Sequence, residues 1–411
     1  TTRFRPPYTP VALGALAGAS VGLTVRPVRK TPMHDWHAAN GAEWVAAGAY
    51  LRPRAYLKPG ETVRDAYVRE AGVVRAGVGM VDVSSLGKID VSGPDAAEFL
   101  NRVYVNAWLK LPVGKARYGI MLREDGFVMD DGTTWRLGPD RFLMTTTTAN
   151  AAKVLSHLEV LLATVWPELK VNLTSVSEQW AGMAVAGPQS RAVLARAIEG
   201  IDFANDAFPF MGIRHGAMGG APVIVTRLSF SGELAYEVYC GSHHGLGVWE
   251  AIMAAGESDG IAAYGTEALG TLRIEKGHIS GPELDGRTSV HDLGFAGFAS
   301  KKKAYIGSSM MHRDALTAET RKRLVGLRSA SGAPIRPGSQ LVGADGRPQG
   351  HVTSTTYSPE LKAEIALALL DNGPERIGEA LTAAYPLKDI SVPVEVVDPL
   401  FVDPDGSRMH V

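Results

Sequence analysis

The sequence predicts an α+β protein of two or three lobes, in which the last lobe consists of strands. Its 411 residues are enough for two or three domains of ~150 residues each. Two observations set the fold class. A strand–Gly-Pro–helix unit occurs twice in the first half of the chain, and after Arg323 short apolar runs alternate with Gly, Pro and Asp turns.

The repeated unit first appears at Lys88–Val91, where polar and apolar residues alternate with the period of a strand. Gly93-Pro94 ends that strand, and proline suits the first turn of a helix because the N–H there has no helical partner. The same order returns at Val185–Pro188. Because an Ala- and Leu-rich segment follows each copy, we expect a pseudo-repeated core of two related lobes.

Other elements follow from the same patterns. Helices are expected at Asp65–Val74, Ala151–Trp166, Val248–Ala255 and Thr266–Lys276. The runs Val223–Phe230 and Ala235–Cys240 flank a turn, as in a hairpin. The run Lys301–Lys303 is typical of a solvated turn.

The strands after Arg323 predict a separate β-barrel or β-sandwich. We therefore divide the chain into a core of residues 1–315, with two interleaved lobes, and a C-terminal barrel domain of residues 316–411.

Composition excludes several classes of function. Lys and Arg number 42 against 43 Asp and Glu, and without a basic surplus or stripe we expect no nucleic-acid partner. Cys240 is the only cysteine, which excludes an internal disulfide and a cysteine-based zinc site. Its position after an alternating segment predicts a small buried thiol. The cysteine usage fits a reducing, cytoplasmic setting, and no apolar run reaches the ~18 residues of a membrane span.

The N-terminal stretch Val11–Leu23 is apolar, but its positive charges follow it instead of preceding it, which is the reverse of a signal peptide. The chain begins at Thr1 and not at methionine. We therefore expect a processed chain or the excised tail of a longer polypeptide.

Motifs for common cofactors are incomplete. Gly77–Asp82 begins like a dinucleotide-binding loop but lacks the third glycine. His34 and His37 are three residues apart, but no cluster of carboxylates or cysteines completes a metal site around them. We expect neither a nucleotide nor a metal at these positions.

Acidic residues at two places are candidates for chemistry. Asp130 and Asp131 follow the apolar run Phe127–Met129, and because neighbouring side chains of a strand face opposite sides, one can face a cavity while the other caps a turn or meets solvent. A carboxylate in a partly dry pocket can accept a proton or stabilise a developing cation. Glu237 lies in an alternating strand; facing inward it would need a partner, such as the N–H donors of a flat heterocycle, and facing outward it would be solvated.

Several motifs occur in a fixed order: Val78–Lys88, Tyr118, Glu124–Gly126 with Asp130-Asp131, Ser231–Glu233 with Glu237, Arg273–Glu275, Gly350–Ser354, Tyr357–Pro359 and Ile365–Ala368. In this order they resemble the glycine-cleavage T-protein family, the folate-dependent aminomethyltransferases, from about Thr31 to the end. Three further phrases are Arg5–Pro10, Thr31–His37 and Thr145–Thr148. They resemble the C-terminal half of the α subunit of heterotetrameric sarcosine oxidase.

The resemblance implies a three-lobed cloverleaf with a C-terminal β-barrel lobe and tetrahydrofolate in a central cavity. By motif position, Asp131 would be the catalytic carboxylate beside the reactive folate nitrogens, and Glu237 would bind the N–H edge of the pterin. The slot would be lined by Leu86, Tyr118, Thr147 and Phe230. Apolar and aromatic walls with a few polar groups suit such a ligand.

The chain also departs from the T-protein pattern. Leu269 stands where an arginine is usual, Phe230 where a tyrosine is common and Leu86 where a methionine is common. In that family the arginine lies near the carbon-transfer centre. Its absence disfavours a lipoyl-bound substrate and favours a small iminium.

The narrower resemblance implies a one-carbon transferase within a sarcosine oxidase complex. Flavin-bearing partner subunits would oxidise sarcosine to an iminium, and this chain would pass the methylene group to tetrahydrofolate, giving 5,10-methylene-tetrahydrofolate and glycine. Alternatives stay open: an aminomethyltransferase of glycine cleavage, another folate-dependent demethylase, or a non-catalytic folate-binding or assembly module.

Overall fold

A computed structural model describes residues 28–411. The phrase Arg5–Pro10 and the apolar stretch Val11–Leu23 lie outside the described residues. The helices of the described part are α1 (His34–Ala39), α2 (Val63–Ala76), α3 (Ala96–Val103), α4 (Ala151–Val160), α5 (Ser190–Ala197), α6 (Gly245–Ala255), α7 (Thr266–Glu275), α8 (Asp314–Thr317) and α9 (Ser407–His410).

The strands of the first two lobes are β1 (Ala42–Ala47), β2 (Tyr50–Tyr56), β3 (Gly79–Asp82), β4 (Gly87–Ser92), β5 (Lys115–Leu122), β6 (Val128–Gly138), β7 (Arg141–Thr146), β8 (Asn172–Ser175), β9 (Trp180–Ala186), β10 (Ile213–Met218), β11 (Ala221–Thr226), β12 (Ala235–Gly241) and β13 (Ala262–Ala263). Those of the last lobe are β14 (Lys322–Ser329), β15 (Gln340–Val342), β16 (Pro348–Ser358), β17 (Ala363–Asp371), β18 (Ala380–Tyr385) and β19 (Ile390–Val397).

The described strands form a hairpin, two open sheets and a closed barrel. The first sheet has the order β5-β6-β7-β4-β8 and the second the order β10-β11-β12-β9-β3-β13, while β14-β17-β16-β15-β18-β19 closes into the barrel. The chain enters the second sheet at β3, builds the first sheet, and then returns, so the two sheet lobes are interleaved. The expected α+β class with a C-terminal barrel is confirmed, whereas the division at residue 316 stays a prediction.

The repeated Gly-Pro step has the same structural role in both lobes. Gly93 joins β4 to α3 with a φ of 131°, and Gly187 joins β9 to α5 with a φ of 118°. A Cβ atom on Gly93 would lie 2.2 Å from the Lys170 carbonyl oxygen, and one on Gly187 would lie 2.3 Å from the Gly77 carbonyl oxygen. Backbone from elsewhere in each lobe thus passes so close that only glycine fits.

Strand alternation places residues in outer cores or in a central layer between the two sheets. Helices α3 and α4 cover the outer face of the first sheet with the cluster Ile89, Val91, Phe99, Leu100, Phe142, Met144, Val154 and Leu158. Helices α5 and α6 cover the second sheet with Met183, Val185, Val193, Leu194, Val238, Trp249 and Ile252. The central layer contains Val81, Val83, Trp135, Leu143, Tyr239, Tyr264 and Leu272.

Helix α7 fastens the barrel to the core through side chains of β16. The contacts are Thr271–Thr356 (Oγ1 to Oγ1, 2.6 Å), Arg273–Ser354 (Nη2 to Oγ, 2.6 Å) and Ser358–Glu275 (Oγ to Oε1, 2.5 Å). The three strand residues alternate along β16 and therefore share one face. Two of the sequence motifs, around Arg273 and Ser354, thus meet at this contact.

Predictions about three segments need correction. The helix expected to end at Trp166 is α-helical only to Val160 and continues as a π-helical turn at Leu161–Val165. Strand β11 ends at Thr226, because the buried Arg227 turns away to donate to the Phe208 carbonyl oxygen at 2.9 Å, so the hairpin loop is longer than predicted.

Lys303 is the third correction, because it does not extend into solvent. Its Nζ donates to the carbonyl oxygens of Asn101 and Tyr104. These carbonyls lie at the C-terminal end of α3, where helical partners run out.

The buried thiol predicted at Cys240 is confirmed. His37 is also buried and contacts the Asp82 carboxylate at 3.1 Å and the Tyr56 hydroxyl at 2.8 Å. Within residues 28–411, no three His, Cys, Asp or Glu side chains gather closely enough to hold a metal ion. A helix able to cross a membrane is likewise absent from these residues.

Candidate functional site

Two carboxylates reach into the layer between the sheets. Asp131 comes from β6 of the first sheet and Glu237 from β12 of the second. Both residues are partly buried, whereas the preceding residues, Asp130 and Tyr236, are buried. The alternation that sends Val238 to the outer core sends Glu237 to the centre, so of the two orientations the sequence allowed, the inward one is found.

Asp131 is held by a tyrosine from the neighbouring strand. Tyr118 lies opposite Thr133 in the β5–β6 register, one diagonal step from Asp131, which is within reach of a long side chain. Its hydroxyl donates to Asp131 Oδ2 at 2.8 Å. No other described side chain hydrogen-bonds to this carboxylate, so Oδ1 is left for a ligand.

Asp130 faces the opposite side of β6 and has a different task. Its carboxylate accepts from the backbone N–H of Thr147 at 3.2 Å, from the Thr147 hydroxyl at 2.7 Å and from the Asn150 side chain at 3.0 Å. It therefore holds the turn that follows β7. Because the Thr147 hydroxyl donates to Asp130, only the methyl group of Thr147 is left to line the predicted ligand slot.

Burial and the charge of Asp130 together raise the pKa of Asp131 to about 7, against a smaller opposing effect of the Tyr118 hydroxyl. A carboxyl group with such a pKa can hold a proton or release it near neutral pH. This is the property required of a general acid or base.

Glu237 has a similar arrangement in the second sheet. The Tyr239 hydroxyl, two residues along β12, donates to Glu237 Oε2 at 3.1 Å. Burial raises the pKa of Glu237 to about 7, while the Tyr239 hydrogen bond and the charge of Lys88 oppose that rise. No other hydrogen bond from the described residues reaches Glu237, so Oε1 is free.

Aromatic side chains connect the two carboxylates. Trp135 lies on the Asp131 side of β6 and donates from Nε1 to the Thr133 hydroxyl at 3.0 Å. Its ring meets that of Tyr239 edge to face, with the centroids 4.8 Å apart. Leu86 packs against the same cluster. The floor between the carboxylates is therefore apolar and aromatic.

A second aromatic group lies beside Asp131. The Tyr118 ring meets Phe298 and Phe295 edge to face at 5.9 and 6.3 Å. Phe298 is 45% exposed. These rings give the Asp131 side of the site an apolar wall that extends to the surface.

Phe230 lies apart from these groups. Its ring is 40% exposed and stacks on His278 at 5.8 Å. No ring or hydrogen-bond contact of the described residues joins it to Asp131 or Glu237. The structure thus brings Leu86, Tyr118, Asp131 and Glu237 near one another and leaves Phe230 apart. The ligand-binding and catalytic roles expected of all these residues stay predictions.

Trp135, Tyr239 and Lys88 escaped the sequence analysis. Lys88 ends the motif Val78–Lys88, but no role was predicted for its side chain. The apolar strands of the second sheet could have indicated that the inner face of β4, which carries Lys88, is covered.

A surface cavity of about 450 Å³ lies elsewhere, lined by α2, α9 and the loop after β11. Its charged groups already pair with one another: Glu233 receives Arg75 at 2.7 Å and Arg408 at 2.8 Å. With its charges satisfied, this cavity is a weaker candidate than the layer between the sheets.

The chain matches two family models. The GCVT N-terminal domain matches residues 33–303, and the glycine cleavage T-protein C-terminal barrel domain matches residues 322–403. A solved structure, the glycine cleavage system aminomethyltransferase T from Bartonella henselae, superposes with a TM-score of 0.80 over 92% of this chain and 99% of that one at 24% identity. That likeness concerns the fold alone.

Curated relatives fall into two groups. Sarcosine oxidase subunit alpha of Rhizobium meliloti is 46% identical over 421 residues, which cover all of this chain but 43% of that subunit. The chain therefore spans less than half the length of this relative. Aminomethyltransferase of Thermus thermophilus is 34% identical over 353 residues, 85% of this chain and 93% of that protein. The resemblance indicated by the motifs is confirmed.

Proposed function

The chain belongs to the glycine-cleavage T-protein family, and we propose that it is a folate-dependent one-carbon transferase of the sarcosine oxidase type. In this proposal it passes the methylene group of oxidised sarcosine to tetrahydrofolate, giving 5,10-methylene-tetrahydrofolate and glycine. The observation that carries the proposal is the pair of carboxylates, Asp131 and Glu237, on an aromatic floor. In each, a tyrosine hydroxyl holds one oxygen and the other oxygen has no hydrogen bond from the described residues.

The side chains in the central layer fit a reduced pterin. Glu237 offers a free Oε1 beside an oxygen already held by Tyr239, which suits a ring edge with adjacent N–H donors. Leu86 and Trp135 supply the apolar contacts that a flat ring requires. Asp131 comes from the opposite sheet, so a ligand that spans the layer meets one carboxylate at each end.

Tetrahydrofolate would supply the nucleophilic nitrogens that accept the one-carbon unit. The role of the protein is then to orient the ligand and to manage a proton and a positive charge. Asp131 suits this role because its raised pKa of about 7 allows it to take up the proton released at the reacting nitrogen. Once ionised, it also stabilises a cationic one-carbon donor.

Leu269 supports a small donor over a lipoyl-bound one. It packs, partly buried, against the apolar cluster of the central layer, so this position offers no charge to a larger substrate. The higher identity to sarcosine oxidase alpha subunits than to the aminomethyltransferase of Thermus thermophilus, 46% against 34%, favours the same choice. Flavin-bearing subunits of a hetero-oligomer remain part of the proposal.

The test is one-carbon transfer by Asp131→Asn, with Asp140→Asn at an exposed turn as the matched control. We expect the Asp131 variant to fold and to lose roughly 10²–10⁴-fold in the rate of methylene-tetrahydrofolate formation, and the control to keep it. Undiminished formation by Asp131→Asn would contradict the assignment.

The choice of donor needs a separate experiment. Sarcosine with flavin-bearing subunits, lipoyl carrier protein and a panel of methylated amines would each be supplied with tetrahydrofolate. Transfer from sarcosine alone supports the proposal. Transfer from the lipoyl carrier favours an aminomethyltransferase of glycine cleavage, and tetrahydrofolate binding without any transfer favours a non-catalytic module.

A further inference from the structure

Lys88 is a fully buried ammonium group, with 0% of its surface exposed. Its Nζ donates to the carbonyl oxygens of Ser84 at 2.7 Å, Leu86 at 2.8 Å and Ser177 at 3.3 Å. No carboxylate of the described residues forms a direct ion pair with it. A buried charge without a paired counter-ion is costly, so this lysine needs a reason to be there.

Tyr239 and Glu237, on the opposite side of the central layer, supply that reason. Lys88 comes from β4 of the first sheet, and its Nζ lies 5.9 Å from the ring centroid of Tyr239 on β12. The Tyr239 hydroxyl in turn donates to Glu237. The ammonium thus stands behind the tyrosine that holds the Glu237 carboxylate, and the charges of Lys88 and Glu237 act on each other.

Other charged and titratable groups surround this pair. The charge of Asp82 on β3 acts on Lys88 more strongly than that of Glu237 does, and the Asp82 carboxylate accepts from the backbone N–H of Ser84 at 2.8 Å. The same carboxylate contacts His37. The fully buried Tyr264 faces Glu237, and Arg52 and Arg75 in turn lie close enough to act on Tyr264. Among these groups Lys88 is the cation that acts on Glu237.

We propose that Lys88 is a positioning residue that keeps the Glu237 carboxylate ionised, and therefore able to accept two N–H donors from the pterin edge. A protonated carboxyl group would lose acceptor capacity and present a donor of its own to those N–H groups. The three carbonyl contacts serve a second purpose, since they fix the turn that carries Leu86 against the same ligand. This inference rests on the proposed function.

The pH dependence of binding separates the role of the charge from a structural role. Burial holds the pKa of Glu237 at about 7 even with Lys88 present, so tetrahydrofolate binding should weaken as the pH falls through about 7. Without the ammonium, the pKa of Glu237 rises further. The midpoint of binding then moves to higher pH.

The variants are Lys88→Gln, which keeps an amide N–H donor but no charge, and Lys88→Arg, which keeps the charge. Lys153→Gln, at an exposed position of α4, is the matched control. In calorimetric titrations with tetrahydrofolate, K88Q should bind about fivefold more weakly at pH 7, with a midpoint about one pH unit higher. K88R and the control should keep the wild-type midpoint.

Comparing Lys88 with K88Q again in the Glu237→Gln background completes a double-mutant cycle. An effect of Lys88 that acts through Glu237 disappears when Glu237 cannot ionise. We expect K88Q to change binding by less than about twofold in that background. If K88Q alone unfolds, the pairing predicts that K88Q/E237Q regains the folded state. An equally unstable double variant would contradict it.

The outcomes distinguish the two proposals. A wild-type chain that binds no tetrahydrofolate overturns the proposed function, and the role of Lys88 with it. A wild-type chain that binds with a midpoint near pH 7, but shares that midpoint with K88Q, overturns the role of Lys88 alone.

Discussion

Asp130 and Asp131 are adjacent, identical side chains, and their surroundings give them different roles. Asp130 receives three hydrogen bonds from the turn after β7, whereas Asp131 receives one from Tyr118. At the residue scale Asp130 therefore supports the turn after β7, and our proposal gives the reactive role to Asp131. The two are coupled, since the charge of Asp130 raises the pKa of Asp131.

This coupling predicts opposite pH shifts for two variants. If transfer needs ionised Asp131, its rate rises with pH through about 7. Asp130→Asn removes the neighbouring negative charge, lowers the pKa of Asp131 and moves the midpoint to lower pH. Tyr118→Phe removes the hydroxyl that stabilises the ionised form and moves the midpoint to higher pH. Each shift should be about one unit, measured as the pH profile of one-carbon transfer; shifts in the same direction would refute the coupling.

At the element scale, the Gly-Pro step of the repeat predicts a large effect from a small substitution. In Gly187→Ala, the new methyl group would meet the Gly77 carbonyl oxygen at 2.3 Å, at a φ of 118°. We expect a loss of at least about 2 kcal/mol in the free energy of unfolding, measured by urea denaturation.

Gly270→Ala is the matched control for this prediction. Gly270 lies inside α7, and a Cβ atom there has no neighbour within 4 Å. Alanine should therefore stabilise the helix by about 0.5–1 kcal/mol. Equal effects of the two substitutions would show that the close backbone approach at Gly187 does not matter.

The contact between α7 and the barrel gives a second element-scale prediction. Arg273 is almost fully buried and pairs with Glu283 at 2.9 Å. Arg273→Met should cost about 3–5 kcal/mol in unfolding free energy, because it leaves the Glu283 charge buried and unpaired. Adding Glu283→Gln should recover much of that loss.

The control is Arg29→Met, which breaks an exposed pair with Glu178 at 3.1 Å. Its cost should not exceed about 1 kcal/mol. If Arg273→Met were as mild as this control in urea denaturation, the buried pair of Arg273 and Glu283 would not contribute to stability as argued.

At the scale of the whole molecule, buried carboxyl groups link stability to pH. Glu237 has a pKa of about 7 in the folded chain against an ordinary value of 4.5. The folded state then binds the proton more tightly than the unfolded state. The stability contributed by this group is fully present below about pH 4.5 and is lost as the pH rises through about 7.

Wild-type protein should therefore lose more stability between pH 5 and pH 8 than Glu237→Gln does, by at most on the order of 3 kcal/mol. Urea denaturation at both pH values measures the difference. Other buried carboxyl groups, such as Glu70, whose pKa is also raised, act in both proteins and cancel. Parallel losses would mean that Glu237 is not shielded from solvent in the central layer.

Much of this architecture could be predicted from local pattern. The period of two located β4, the Gly-Pro steps marked both helix starts, and the composition shift after Arg323 located the barrel. These signals succeed because each depends on a few neighbouring residues. The motif order likewise predicted Asp131 and Glu237 as site residues.

The remaining features depend on contacts between distant segments. Alternation separated Asp130 from Asp131 but could not say which faced inward, since that depends on where the second sheet packs. The alternation at Lys88 did not show that its side chain would be buried, since that depends on Tyr239 of β12 packing over β4. Arg227 was predicted to continue β11, and its hydrogen bond to the Phe208 carbonyl oxygen in another loop could not be foreseen from local pattern.

Binding of tetrahydrofolate to Glu237→Gln tests the central claim most directly, with Glu250→Gln on the exposed side of α6 as control. Titration calorimetry at pH 7.5 should show binding by wild type and by the control. It should show roughly 10–100-fold weaker binding by Glu237→Gln, because an amide cannot replace the paired carboxylate acceptors. Equal affinity in all three proteins would place the pterin somewhere other than between the two sheets.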